Sequence, residues 1–240
     1  MPQLLRKFVK AVRIARYPGL LAELRHGVAA AVEHRGALGG LRLKTIVDAG
    51  ANVGQFSLIA SELHPGARIF AFEPLPAAAD TYERVMGSRL NGKMFRHALG
   101  AQAGHRTLHV AGRNDSSSLL PISSLQVAMH PQTAEVAQIA VEVRPLADVL
   151  SQDDLTSSAL LKIDVQGTEL EVLKGCGPLL CRFDHLYIEL GFFEFYVGQP
   201  LAHQVIAMLA DRGFLLSGVY NVVYDSAGRA AQADFLFRRA

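Results

Sequence analysis

Beyond residue 45, short apolar runs alternate with stretches whose apolar positions recur at helical spacing. The strand-like runs cover 45–49, 68–73, 94–98, 106–110, 140–144, 159–164, 185–190, 214–223 and 233–238. The helical patterns cover 54–63, 76–87, 146–151, 168–180 and 201–212. Runs such as Thr45-Ile46-Val47 and Ala159-Leu160-Leu161 suit strands buried on both faces. Their alternation with helices predicts an α/β fold, a doubly wound, mostly parallel sheet with right-handed crossovers. The end of the chain breaks the rule. The run from Phe214, a turn at Asp225-Ser226-Ala227-Gly228 and the run from Ala233 read as an antiparallel hairpin. The Ser-rich loop 114–118 and the segment 121–138 form the main irregular insertion.

Charge divides the chain at about the same boundary. Residues 1–44 hold nine Lys/Arg against Glu23 and Glu33, a balance of +7 in a chain of net +2, so the rest carries −5. Leucines and other apolar residues interleave with these cations, which predicts amphipathic helices broken near Pro18-Gly19. A domain boundary is therefore expected between a basic helical extension, 1–44, and a main domain, 45–240. A packed extension with a solvated basic face is favoured over an anionic membrane surface or an acidic substrate as its partner. No run approaches the ~18 apolar residues that span a bilayer. With no secretory signal visible, and with Cys176 and Cys181 in no metal or redox spacing, a cytoplasmic protein with two reduced thiols in or near the core is expected.

The chemistry concentrates at strand ends. Thr45 to Ala49 runs into Gly50-Ala51-Asn52-Val53-Gly54 and then a helix, the arrangement in which backbone approaches a ligand closely. This turn lacks Gly-Lys-Ser/Thr, so it is no phosphate loop. It also lacks Gly-x-Gly-x-x-Gly, and Asp48 stands where a pyrophosphate wants no negative charge. An anionic strand end suits a cationic ligand such as the ammonium and sulfonium of S-adenosylmethionine. The next strand ends in Glu73-Pro74, 25 positions after Asp48, where an acid commonly takes ribose hydroxyls.

A second acidic strand end follows at Lys162-Ile163-Asp164-Val165-Gln166-Gly167-Thr168-Glu169. Asp48 and Asp164 are expected on adjacent central strands with both carboxylates facing one crevice, and Glu189 ends a further strand. Asp164 is the candidate general base or ammonium ligand. Glu189 is a candidate for assisting deprotonation or binding substrate hydroxyls. Glu169 has equal standing as a catalytic acid and as a helix-dipole partner. His97, with Ala98, is a candidate for the adenine pocket or a plain core-edge residue. Three converging carboxylates would also suit a divalent cation, although no metal site is assigned. Lys162, one place from Ile163 and on its opposite face, reads as structural.

Assembled in this order, these motifs resemble the FkbM family of S-adenosylmethionine-dependent methyltransferases. The likeness spans about residues 45–224 and is carried by Val47–Gly54, Phe72-Glu73-Pro74, Ala98-Leu99-Gly100, Ser117-Ser118-Leu119, Leu161–Glu169, Val172–Gly175 and Ile188-Glu189-Leu190 with Tyr196. The block around Asp164 is its most specific part. The resemblance implies a class I, Rossmann-like methyltransferase fold and methyl transfer to a hydroxyl of a sugar, glycan or natural product. It implies that Asp48, Gly50, Asn52 and Gly54 surround the methionine part. Glu73 with Pro74 would hold the ribose, His97 and Ala98 would approach the adenine, and Asp164 would stand at the transfer centre. A small-molecule or glycan partner follows, and no nucleic acid. A nicotinamide oxidoreductase lacks its glycine fingerprint here and would not end in a hairpin. A non-catalytic cofactor-binding scaffold remains the other reading.

Overall fold

The computed structural model describes residues 17–240. Seven strands form the main sheet. They are β1 (Thr45–Ala49), β2 (Arg68–Phe72), β3 (Gly92–Phe95), β7 (Ala159–Ile163), β8 (His185–Gly191), β9 (Phe214–Tyr224) and β10 (Ala230–Arg239), in the order β3-β2-β1-β7-β8-β10-β9. All pairings are parallel except those of β10, which runs against both β8 and β9. The expected parallel sheet closed by a hairpin is therefore present. Strand order reverses between β1 and β7, and ligands of such sheets bind outside the carboxyl ends at that point.

Alternate side chains of each strand feed two cores. One face packs Val47, Phe70, Phe72, Leu161, Ile163 and Ile188 against the helices α4 (Glu169–Gly175) and α5 (Ala202–Asp211). The other packs Ile46, Ile69, Leu160 and Tyr187 against α1 (Gln55–Leu63) and α2 (Pro76–Met86). Leu20, Val28, Val32 and Leu38 belong to this second core, so residues 17–44 pack on the main domain in short helical turns, Pro18–Leu21 and Arg35–Leu38 among them. Residues 1–16, which hold most of the expected amphipathic pattern, lie outside the described residues.

Four expectations are corrected. Most of the runs at 94–98, 106–110 and 140–144 lies outside the main sheet. Part of the first joins it as β3, while β4 (Ala98–Leu99), β5 (Gly104–Ala111) and β6 (Glu135–Arg144) make a separate three-stranded sheet, β4-β6-β5. Its small core of Leu75, Ala98, Leu108, Leu119, Val141 and Val143 sits over the carboxyl end of β2. The pattern at 146–151 yields a single 3-10 turn, Leu146–Asp148, and α4 stops at Gly175 rather than 180. A Cβ at Gly175 would lie 2.0 Å from the Gly100 carbonyl, so the helix end is pressed against β4. Cys176 is buried as expected, but Cys181 is exposed. The irregular insertion contains a short helix, α3 (Ser124–Met129), capped by Ser123.

Candidate active site

A cavity of about 470 Å³ opens at the point of strand reversal, within the range of small-ligand pockets. One end is walled by Gly50, Asn52, Glu73, Pro74 and Ala98, its middle by Lys162, Asp164, Gln166 and Glu189. The opposite end takes His34 from the extension and Asn221 and Asp234 from the hairpin. The insertion supplies Ser116 to Leu119.

The turn after β1 is locked by its neighbours. Gly50 has φ +77, and a Cβ on it would stand 1.9 Å from the Asp164 carbonyl, so only glycine lets β1 and β7 end this close together. Asn52 has φ +47; its N–H donates to Glu73 Oε2 at 2.9 Å, and Leu75 N donates to Oε1 at 2.8 Å. These bonds oppose a larger effect. Burial pushes the Glu73 carboxyl up to about 7. Gly54 caps α1 and packs on Tyr82, outside the cavity wall.

Asp48 is fully buried beneath the floor, which corrects the expectation that it faces the crevice with Asp164. Ser57 Oγ donates to its Oδ2 at 2.7 Å, and Lys162 Nζ stands 3.0 Å from Oδ1. Lys162 has the structural role expected of it and also lines the cavity. It lies beside Asp48 in the β1–β7 register, donates to the Gly50 carbonyl at 2.8 Å and is 3.7 Å from Asp164 Oδ2. The usable signal was the two-residue period of a strand, which places Lys162 on the face of Asp164.

The Asp164 side chain is 36% exposed and opens into the cavity. Its Oδ1 accepts from Gln166 Nε2 at 2.6 Å, and the same nitrogen donates to Glu189 Oε2 at 2.9 Å. Glu189 Oε1 accepts from Gln232 Nε2 at 2.9 Å. Burial and the neighbouring Asp164 raise the Glu189 pKa well above the carboxylate range. Tyr196 Oη donates to Gln166 Oε1 at 2.6 Å, and Ser118 Oγ donates to the Gln166 carbonyl at 2.6 Å, so the insertion is tied to the acids. At the far end, Asp234 Oδ2 accepts from Tyr187 Oη at 3.0 Å and Asn221 Nδ2 at 2.8 Å, with His34 Nδ1 at 3.4 Å. His34, Asn221 and Asp234 carried no role from sequence. Their positions depend on strand pairing that no local pattern encodes.

Two more candidates lie outside the cavity wall. Glu169 is buried in the first turn of α4, accepts from Gly167 N at 2.8 Å and is pushed by burial up to about 7. His97 packs edge-on to Phe72, and its Nδ1 is 3.1 Å from the Ala98 carbonyl, while Ala98 itself lines the cavity. Among the described residues, no three His, Cys, Asp or Glu side chains group closely enough to hold a metal ion.

The Methyltransferase FkbM domain model matches residues 48–216. The chain belongs to the FkbM methyltransferase family. It is 33% identical to Methyltransferase sdnD of Sordaria araneosa, over 70% of this chain and 73% of that protein. It is 30% identical to 31-O-demethyl-FK506 methyltransferase FkbM of Streptomyces tacrolimicus, over 70% of this chain and 72% of that one. It is 28% identical to 2-O-methyltransferase NoeI of Sinorhizobium fredii, over 68% and 70%. The protein is thus an S-adenosylmethionine-dependent methyltransferase acting on a small-molecule substrate. Its cavity suits that cofactor. Asn52 Oδ1 is buried without a hydrogen-bond partner in the wall beside Glu73, and Asp and Glu outnumber Lys and Arg in the lining, which favours a cationic ligand.

Proposed function

We propose that this enzyme methylates a hydroxyl oxygen of a sugar, glycan or other polyhydroxylated natural product, with Asp164 as the general base. The observation that carries the reading is the Asp164 carboxylate, the one acid of the β1–β7 junction that opens to the cavity while its neighbour Asp48 is committed to Lys162 and Ser57. The names of two relatives, a 2-O-methyltransferase and a 31-O-demethyl-FK506 methyltransferase, support oxygen as the acceptor atom.

The residues divide the work along the cavity. Glu73, with Pro74, holds the ribose hydroxyls of the cofactor, and Asn52 offers its unpartnered Oδ1. Gly50 lets the backbone approach the methionine part, and Ala98 borders the adenine. Asp48 and Gly54 act from below, fixing the turn. The cofactor brings an electrophilic methyl group on a sulfonium. An alcohol is a weak nucleophile, so its O–H proton passes to Asp164 Oδ2 as the methyl arrives. Lys162 Nζ stands 3.7 Å from that Oδ2 and places a positive charge beside the base.

Asp164→Asn is expected to lower turnover about 10²–10⁴-fold while S-adenosylhomocysteine still binds. The assay offers methyl-labelled S-adenosylmethionine with a panel of methyl glycosides and macrolide-type alcohols, and the product's new methyl is located by NMR. Wild-type turnover by the variant would remove Asp164 as the base. A methyl found on nitrogen or carbon would refute oxygen transfer.

A further inference from the structure

Three acids stand in a row across β7, β8 and β10. Glu189 pairs in register with Asp234, and Asp164 continues β7 beyond the Ile163–Ile188 pair. The outer two have basic partners, Lys162 at 3.7 Å from Asp164 and His34 at 3.4 Å from Asp234. Among the described residues Glu189 has none within ion-pair distance. It has instead one amide donor on each oxygen, Gln166 on Oε2 and Gln232 on Oε1. The Gln166 amide is oriented by Tyr196, whose hydroxyl takes its oxygen, so its nitrogen must face the acids.

Asp164 and Glu189 thus share one nitrogen, and burial together with the neighbouring Asp164 holds the Glu189 carboxyl well above its ordinary value. Glu189 is desolvated by burial and has no basic partner among the described residues, so the proton falls to this middle acid. Neither amide nitrogen accepts that proton. Glu189 itself lines the cavity.

We propose that Glu189 is stored as a neutral carboxylic acid whose O–H points into the cavity, and that it selects acceptors with a second oxygen on the carbon next to the reacting hydroxyl. This rests on the oxygen-methylation reading above. The preferred acceptor is a vicinal diol or a hydroxy-ether. One oxygen gives its proton to Asp164, and the neighbouring oxygen accepts a hydrogen bond from Glu189, which keeps its proton throughout.

Infrared difference spectroscopy of the full protein tests the protonation directly and needs no acceptor. At pH 8 most of Glu73 and Glu169, both near 7, is ionised. A carboxylic-acid carbonyl band is expected there that disappears in Glu189→Gln and survives in Glu73→Gln and Glu169→Gln. No such band in the wild type, or one that persists in Glu189→Gln, overturns the proposal. With an acceptor from the panel, Glu189→Ala is expected to lower kcat/KM about 10- to 100-fold, and Glu189→Gln, which still carries a neutral donor, to recover most of it. An analogue lacking the neighbouring oxygen should show no further loss in Glu189→Ala. A Gln variant as poor as the Ala variant counts against a neutral donor. Titration with S-adenosylhomocysteine separates the two claims. Binding without the band refutes the Glu189 proposal alone. Failure of the wild type to bind refutes the cofactor assignment, and the spectrum still decides the state of Glu189.

Discussion

Glu73 accepts hydrogen bonds from two backbone amides, yet burial still holds its pKa near 7. Only the ionised carboxylate accepts from both ribose hydroxyls, so S-adenosylhomocysteine should bind more weakly as pH falls through about 7. Glu73→Gln should lower affinity about 10- to 100-fold at pH 8 and flatten this dependence, read by calorimetry. An unchanged dissociation constant would contradict the ribose role. Glu169 links pH to stability instead. Its folded pKa, about 7, exceeds the ordinary 4.5, so between these values the folded chain holds a proton that the unfolded chain has released. Its contribution is present below that window and is lost as pH rises through it. Glu169→Gln can still accept from Gly167 N, so the difference in Tm between variant and wild type should move in the variant's favour as pH rises from 4 to 8. A constant difference would contradict the buried neutral acid. At this scale the acids at the strand ends were legible because each ends an apolar run. Lys162 shares the strand face of Asp164, two places on. Tyr196 reaches Gln166 from a distant segment.

The turn between β1 and α1 shows how an element makes a site. Gly50→Ala would force a side chain onto a φ of +77 and into the Asp164 carbonyl. It should cost at least about 3 kcal/mol in chemical denaturation and abolish S-adenosylhomocysteine binding. A loss below about 1 kcal/mol would mean that β1 and β7 can part without harm. The central strands and their order of chemistry were readable because parallel strands buried on both faces leave continuous apolar runs. The second sheet was not. β4 has two residues, and much of β5 and β6 is exposed, so neither gives a period that says which sheet it joins. The 146–151 pattern failed as a helix because an apolar spacing over one turn cannot separate a helix from a 3-10 turn.

At the scale of the whole molecule, the two ends of the described chain meet over the site. His34 from the extension touches Asn221 and Asp234 of the hairpin. Leu38, fully buried with residues of β1 and α1, should cost about 2–5 kcal/mol on truncation to Ala. A change under about 1 kcal/mol would show the extension to be an appendage. The sequence showed the segment's basic charge but not its contact with the cavity, because His34 stands alone among residues without a motif.

The central claim is a cofactor site at the Gly50–Glu73 end of a methyltransferase cavity. It is tested most directly by calorimetric titration of the full chain with S-adenosylmethionine and S-adenosylhomocysteine, with NAD as comparator. Micromolar binding of both adenosyl ligands and none of NAD is the expected result. Folded protein that binds neither adenosyl ligand, or that prefers NAD, would contradict it.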